Sequence, residues 1–277
     1  MKLGIFAKTF SGAEPEGVLA SVAATGFSAT QYNMACSGLP SMPDEISSDV
    51  AAAIHLAATR HGVEIVALSG TYNMIHPDPD VRALGLKRLE VLAAAASSLP
   101  TRLITLCTGT RDAEDQWRGH PDNETPRAWD DLLAAMEIAV GIAERYDVEL
   151  GVEPELANVI NSAVKARRLI DQIGSPRVKI VFDPANLFET ARLDQQRDIV
   201  SSAIDLLADD IVMGHAKDRT ATGDFTTAGK GVLDYPWYLQ RLKEIGFSGA
   251  LVTHGLAAGE AAGVAAFLGR TLAGIEA

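Results

Sequence analysis

Cysteine is almost missing from this chain. Only Cys36 and Cys107 occur among 277 residues, and neither stands in a CxxC spacing, so a disulfide framework is excluded. Both read as reduced thiols, as expected of a cytoplasmic protein. Long apolar runs are missing too. No stretch approaches the roughly 20 residues that a membrane helix needs, and the segment from Met1 reaches Lys8 without a signal peptide's apolar core. Basic residues are outnumbered, with 24 Lys and Arg against 36 Asp and Glu, for a formal charge of −12. A surface of that sign repels phosphate chains, which argues against nucleic acid as a partner. No GxGxxG follows the first apolar run, so a dinucleotide-binding doubly wound sheet has no support. Nor does any Pro/Gly/Ser-rich linker divide the chain, and a single domain over 1–277 is expected.

What the chain does contain is apolar material in short, regular doses. Hydrophobic residues make up 47% and the mean hydropathy is +0.10, enough for a large core. Eight β-like runs are legible: KLGIFAKT, SATQYNM, EIVALSGTY, RLITLCTG, ELGVEPE, KIVFDPAN, DIVMGHAKD and GALVTHGL. Between them lie amphipathic, Ala- and Leu-rich stretches such as Asp44 to His61, Asp80 to Ser98, Trp129 to Tyr146 and Ser162 to Ile173, which favour helix. Gly62, Gly174 and Gly246 each follow a helical pattern, where a left-handed C-cap is expected. Eight alternating units predict an α/β fold, a (β/α)8 TIM barrel, with reactive groups gathered where strands end and βα loops begin.

Four of the later strands end in a metal-ligand side chain: Glu153, Asp183, His215 and His254. Strands that are apolar throughout are buried on both faces, so a polar group at the same end of each needs a partner. Strand alternation gives them a common inward register, since His215 follows Met213 and Ile211, and His254 follows Val252 and Ala250. Two carboxylates with two imidazoles suit one Mn, Co, Fe or Zn ion better than calcium. Singly, each residue also has a structural reading, such as a turn former for Asp183 before Pro184.

Around these ligands stand further candidates. Lys217 shares a face with His215 and either stabilises an oxyanion or sits solvated at the rim. Glu155, Asn186 and Asp218 are placed to contact substrate hydroxyls or to cap the following helices. His76 follows the third strand and either faces substrate or belongs to a proline turn. The long polar connection from Thr108 to Pro126 reads as a lid, in which Arg111 and His120 would recognise hydroxyl or anionic groups and Trp117 would offer an apolar face to a sugar. Gly229-Lys230-Gly231 is a flexible turn to which no phosphate site is assigned.

CTGTRD, GVEPE, FDPANL, GHAKDR, AGKGVLDY and VTHGL, in this order and spacing, resemble the xylose isomerase-like TIM barrels, the superfamily of sugar isomerases, sugar 3-epimerases, inosose dehydratases and endonuclease IV. The resemblance implies metal ligation by Glu153, Asp183 and His215. It also implies a fourth ligand at 254, where the epimerases keep a glutamate and this chain has His254. A proton alpha to a carbonyl would be removed by Glu153 through an enediolate, with Lys217 and His254 as the other catalytic candidates. The expected activity is a divalent-metal-dependent isomerase or epimerase of a small sugar, keto-sugar or sugar phosphate. A lyase or hydratase on an inosose or 3-keto-glycoside is the alternative, and a non-catalytic sugar-binding barrel a second one. An endonuclease IV-like trimetal site is disfavoured by the six histidines and the acidic charge. Partners are expected to be a carbohydrate and, through the outer helices, a second copy of the chain.

Overall fold

The computed structural model describes residues 1–276. Eight parallel strands close into a barrel: β1 (Lys2–Phe6), β2 (Ala29–Tyr32), β3 (Glu64–Ser69), β4 (Leu103–Cys107), β5 (Glu149–Glu153), β6 (Val178–Phe182), β7 (Ile211–Ala216) and β10 (Ala250–Thr253), which pairs with β1. A two-stranded antiparallel hairpin, β8 (Asp218–Arg219) and β9 (Phe225–Thr226), interrupts the connection after β7. The helices are α1 (Pro15–Ala24), α2 (Ser48–His61), α3 (Pro79–Ala96), α4 (Pro126–Tyr146), α5 (Ala163–Ile173), α6 (Leu193–Leu207), α7 (Tyr235–Glu244) and α8 (Ala261–Glu276). No described helix is long and apolar enough to cross a membrane.

Local chemistry sets these boundaries. Ser47, Asp78, Thr125, Ser162 and Asp234 accept backbone N–H groups at the starts of α2, α3, α4, α5 and α7. Gly62, Gly174 and Gly246 take left-handed conformations at or just past helix ends, as their sequence positions predict. The stretch from Asp44 to Ser47 stays outside α2 because Ser47 caps it.

Two cores follow from the alternation of the strands. The larger lies between barrel and helices; a smaller cluster of Ala67, Leu103, Val181, Met213, Ala250 and Val252 fills the barrel interior. Val181, Met213 and Val252 each sit two residues before Asp183, His215 and His254. Their position inside the barrel therefore aims the three ligands into its C-terminal mouth.

The long β4–α4 connection is fastened at its stem by three buried asparagines. Asn73 accepts from Thr110 N and donates to Asp112 O, Asn123 accepts from Arg111 N and donates to Ala157 O, and Asn158 accepts from Gly109 N. Gly109 makes this possible: its φ is 76°, and a Cβ there would stand 2.1 Å from Asn73 Oδ1. Gly109→Ala is expected to lower stability by on the order of 3 kcal/mol, read as a shift in the urea midpoint.

Candidate metal centre

Glu153 ends β5, Asp183 follows β6, His215 lies in β7 and His254 follows β10, so neighbouring strands deliver all four groups to one point. One ligand atom from each lies within 4.8 Å of the others. Asp183 Oδ1 accepts from Ala185 N, while Oδ2 points inward, 3.2 Å from His254 Nε2, 3.8 Å from His215 Nδ1 and 3.1 Å from Lys217 Nζ. Glu153 Oε1 accepts from Asn186 Nδ2 at 2.8 Å and lies 3.1 Å from His215 Nδ1. Two oxygens and two nitrogens at this spacing fit a borderline divalent ion.

Charge balance explains the protonation. Burial pushes the Asp183 carboxyl up, but the Lys217 ammonium and the two histidines hold it well below the usual carboxylate range. Glu153 is likewise penalised by burial and brought below its ordinary value by His215. Burial depresses the His215 imidazole, yet the Glu153 and Asp183 carboxylates raise it to about 9. His254 goes the other way, lowered by burial and by the positive charges of His215 and Lys217. Glu155 is pushed up to about 7 by burial and by the Glu153 carboxylate.

Sequence reading missed Gln31 on β2. Its Oε1 lies 3.1 Å from His215 Nε2, and its own Nε2 donates to Thr105 Oγ1 on β4 at 3.0 Å. Thr105 thus orients the amide, the amide oxygen accepts a hydrogen bond from His215 Nε2–H, and Nδ1 is the nitrogen left to face the carboxylates. A lone glutamine in a short strand carries no local signal of this; only the barrel's closure brings residues 31 and 215 together.

The other candidates separate into two groups. A cavity of about 260 Å³ at the barrel mouth is lined by Glu153, Glu155, His215, Lys217 and His254, with Gln31, Lys8, Phe6 and Trp117 among the rest. Asn186 lies just behind, bridging Glu153 and Lys217. Lys217 is itself covered by the Phe225 ring of the β8–β9 hairpin, 3.9 Å from its ammonium. The remaining four do not line this cavity. Asp218 is buried and accepts backbone N–H groups from Arg219, Gly229, Gly231 and Leu233, so it folds the loop carrying Phe225. Arg111 is tied to Asp131 and to the carbonyls of Ile75 and Arg127. His120 caps the short turn Pro121–Glu124. His76 accepts from Asp78 N and donates to Ala113 O beside a separate cavity.

The chain matches the xylose isomerase-like TIM barrel family over residues 19–265 and belongs to it. No curated protein matches its sequence. Among solved structures it is similar to a D-tagatose 3-epimerase-like protein (18% identity, TM-score 0.79, covering 100% of this chain and 98% of that one). It is similar also to the 3-keto-D-glucoside 4-epimerase of E. coli (17%, 0.74, 100% and 99%) and to the IolI protein with a bound zinc atom (17%, 0.72, 99% and 98%). At these identities the likeness establishes the fold.

Two outcomes are expected. Asp183→Asn and His215→Gln lose bound metal, measured by elemental analysis on folded protein, while Gln31→Leu weakens metal affinity about 10- to 100-fold. Because the proton on His215 must leave before Nδ1 can ligate, uptake of Mn²⁺ or Zn²⁺ at pH 7 releases close to one proton, and affinity rises with pH up to about 9. Calorimetry in buffers of different ionisation enthalpy measures that release.

Proposed function

We propose that the protein is a divalent-metal-dependent isomerase or epimerase of a small keto-sugar, removing a proton alpha to the carbonyl. The observation that carries this reading is the convergence of Glu153, Asp183, His215 and His254 within 4.8 Å, with Glu153, His215 and His254 lining a cavity that Lys217 lines too. The cavity, about 260 Å³, is at the small end for ligand sites and suits a monosaccharide ring.

A divalent ion held by these four side chains would supply Lewis-acid stabilisation of negative charge on a carbonyl oxygen. The chain's own groups do the rest. Glu153 commits Oε1 to Asn186 and His215, which leaves Oε2 to take the substrate proton. Lys217, nearly excluded from water under Phe225 and braced by Asn186 and Asp183, sets a fixed positive charge beside the place where the enediolate develops. Glu155 and the Trp117 ring line the same cavity, to contact a hydroxyl and an apolar sugar face.

His254 favours a second reading. A histidine ligand, lowered in basicity and held against Asp183, takes the place of a second carboxylate base, so exchange on one face followed by loss of a leaving group, as in a lyase, fits the same residues. Incubating ketoses, inososes and 3-keto-glycosides with Mn²⁺ in heavy water, followed by NMR, separates the two by product. In either case Glu153→Gln, assayed at saturating metal, is expected to suppress deuterium incorporation at the alpha carbon at least about a hundredfold. Unchanged exchange would overturn Glu153 as the base.

A further inference from the structure

The cavity at the barrel mouth has two chemically different halves. The closed strand order puts β1, β2 and β3 across the barrel from β5, β6 and β7. Both carboxylates that line the cavity, Glu153 and Glu155, lie at the end of β5, on the metal side. The wall opposite comes from the ends of β1, β2 and β3 and the loops beyond them. Apart from Gln31, which is committed to His215, its polar groups are Lys8, Asn33, Ser41, Ser69 and Thr71, with no acidic residue among them.

On the metal side the side chains satisfy one another, whereas on this wall they do not. Lys8 is exposed in the short turn Ala7–Thr9 after β1 and has no ion-pair partner among the described residues. Asn33 is only 4% exposed, and its Oδ1 accepts from Ala35 N at 3.0 Å, which leaves Nδ2 on the cavity wall without an acceptor. The hydroxyls of Ser41, Ser69 and Thr71 also hydrogen-bond to nothing among the described residues. An ammonium and an amide nitrogen can only donate, and hydroxyls turn to donate as needed. A sugar hydroxyl placed here would find donors already in excess and would bring another proton with it. An anionic oxygen group accepts from all five residues and donates nothing, and hydrogen bonds to a charged acceptor are the stronger kind. The chain carries a formal charge of −12, yet this wall presents one unpaired cation and no anion. Within a cleft, that local field and not the net charge decides what enters.

We propose that the wall formed by β1–β3 is a subsite for an anionic group, a carboxylate or a phosphate, at the end of the substrate remote from the reacting carbons, with Lys8 as the residue that selects for it. The assignment rests on the function proposed above and narrows the keto-sugar to one with a negatively charged terminus.

The test uses three ketohexoses that differ only at the terminal carbon: D-fructose, D-fructuronate and D-fructose 6-phosphate. Each is titrated by calorimetry into the Mn²⁺-loaded protein. At least one of the two anions is expected to bind about tenfold or more tightly than fructose, and the anion that gains more identifies the group as carboxylate or phosphate. Lys8→Met, at an exposed position, is expected to erase that difference, and Lys8→Arg to keep most of it. Equal affinities in the unaltered protein, a preference that survives Lys8→Met, or no binding of any of the three overturns the subsite. Deuterium exchange alpha to the ketone is scored separately. Exchange without an anion preference sinks the subsite and spares the reaction; an anion preference lost in Lys8→Met, without exchange on any of the three, does the reverse.

Discussion

Two carboxylates forced together at the mouth of a barrel are the constraint on which the rest depends. Glu153 and Asp183 sit on neighbouring strands with most of their surface removed from water, and each repels the other's charge. Buried charge of one sign demands charge of the other. Lys217 and a protonated His215 supply it, and the four side chains sum to zero: two negative, two positive. On the reading proposed above, exchange of the His215 proton for a divalent ion would change that sum to plus one, a surplus suited to an oxygen that gains negative charge. The architecture around the centre serves this balance. Gln31 and Thr105 hold the imidazole, Asn186 bridges Glu153 and Lys217, and Asp218 folds the loop that lays Phe225 over the ammonium.

How much of this could be read from the chain depended on whether a residue's task was local. The barrel strands announced themselves by uniform apolarity. The ligands stood out because each interrupts an apolar run at the same end, and alternation alone placed Val181, Met213 and Val252 inside and the ligands at the mouth. The C-terminal ends of helices were legible for the same reason, since a left-handed glycine such as Gly62 or Gly174 acts on near neighbours in sequence, whereas the starts were not: α2 and α4 begin at Ser48 and Pro126, behind the caps Ser47 and Thr125, and not at Asp44 and Trp129. Gln31 was not, because its partner is 184 residues away and nothing near it is unusual.

The loop residues show the converse. Arg111 has the right chemistry for an anion, but three of its guanidinium's donor bonds go to the carbonyls of Ile75 and Arg127 and to Asp131. His76 and His120 each accept a backbone N–H from two residues on through Nδ1, a contact any loop histidine before a proline turn can make. Composition cannot separate a polar side chain that holds a loop from one that awaits a ligand. Only the count of its satisfied hydrogen bonds does.

His254 bears most on the type of reaction. In place of a carboxylate it offers a neutral nitrogen whose basicity is reduced by burial and by two adjacent cations, so it would ligate without adding negative charge. With a glutamate there, the same arithmetic gives a net charge of zero once the ion is bound, and a second proton acceptor. The substitution therefore exchanges a base for a stronger field. On the proposed reading, one carboxylate, Glu153, would begin the reaction, and the accumulated negative charge would be held long enough either to be reprotonated from the same side or to expel a group beyond the alpha carbon.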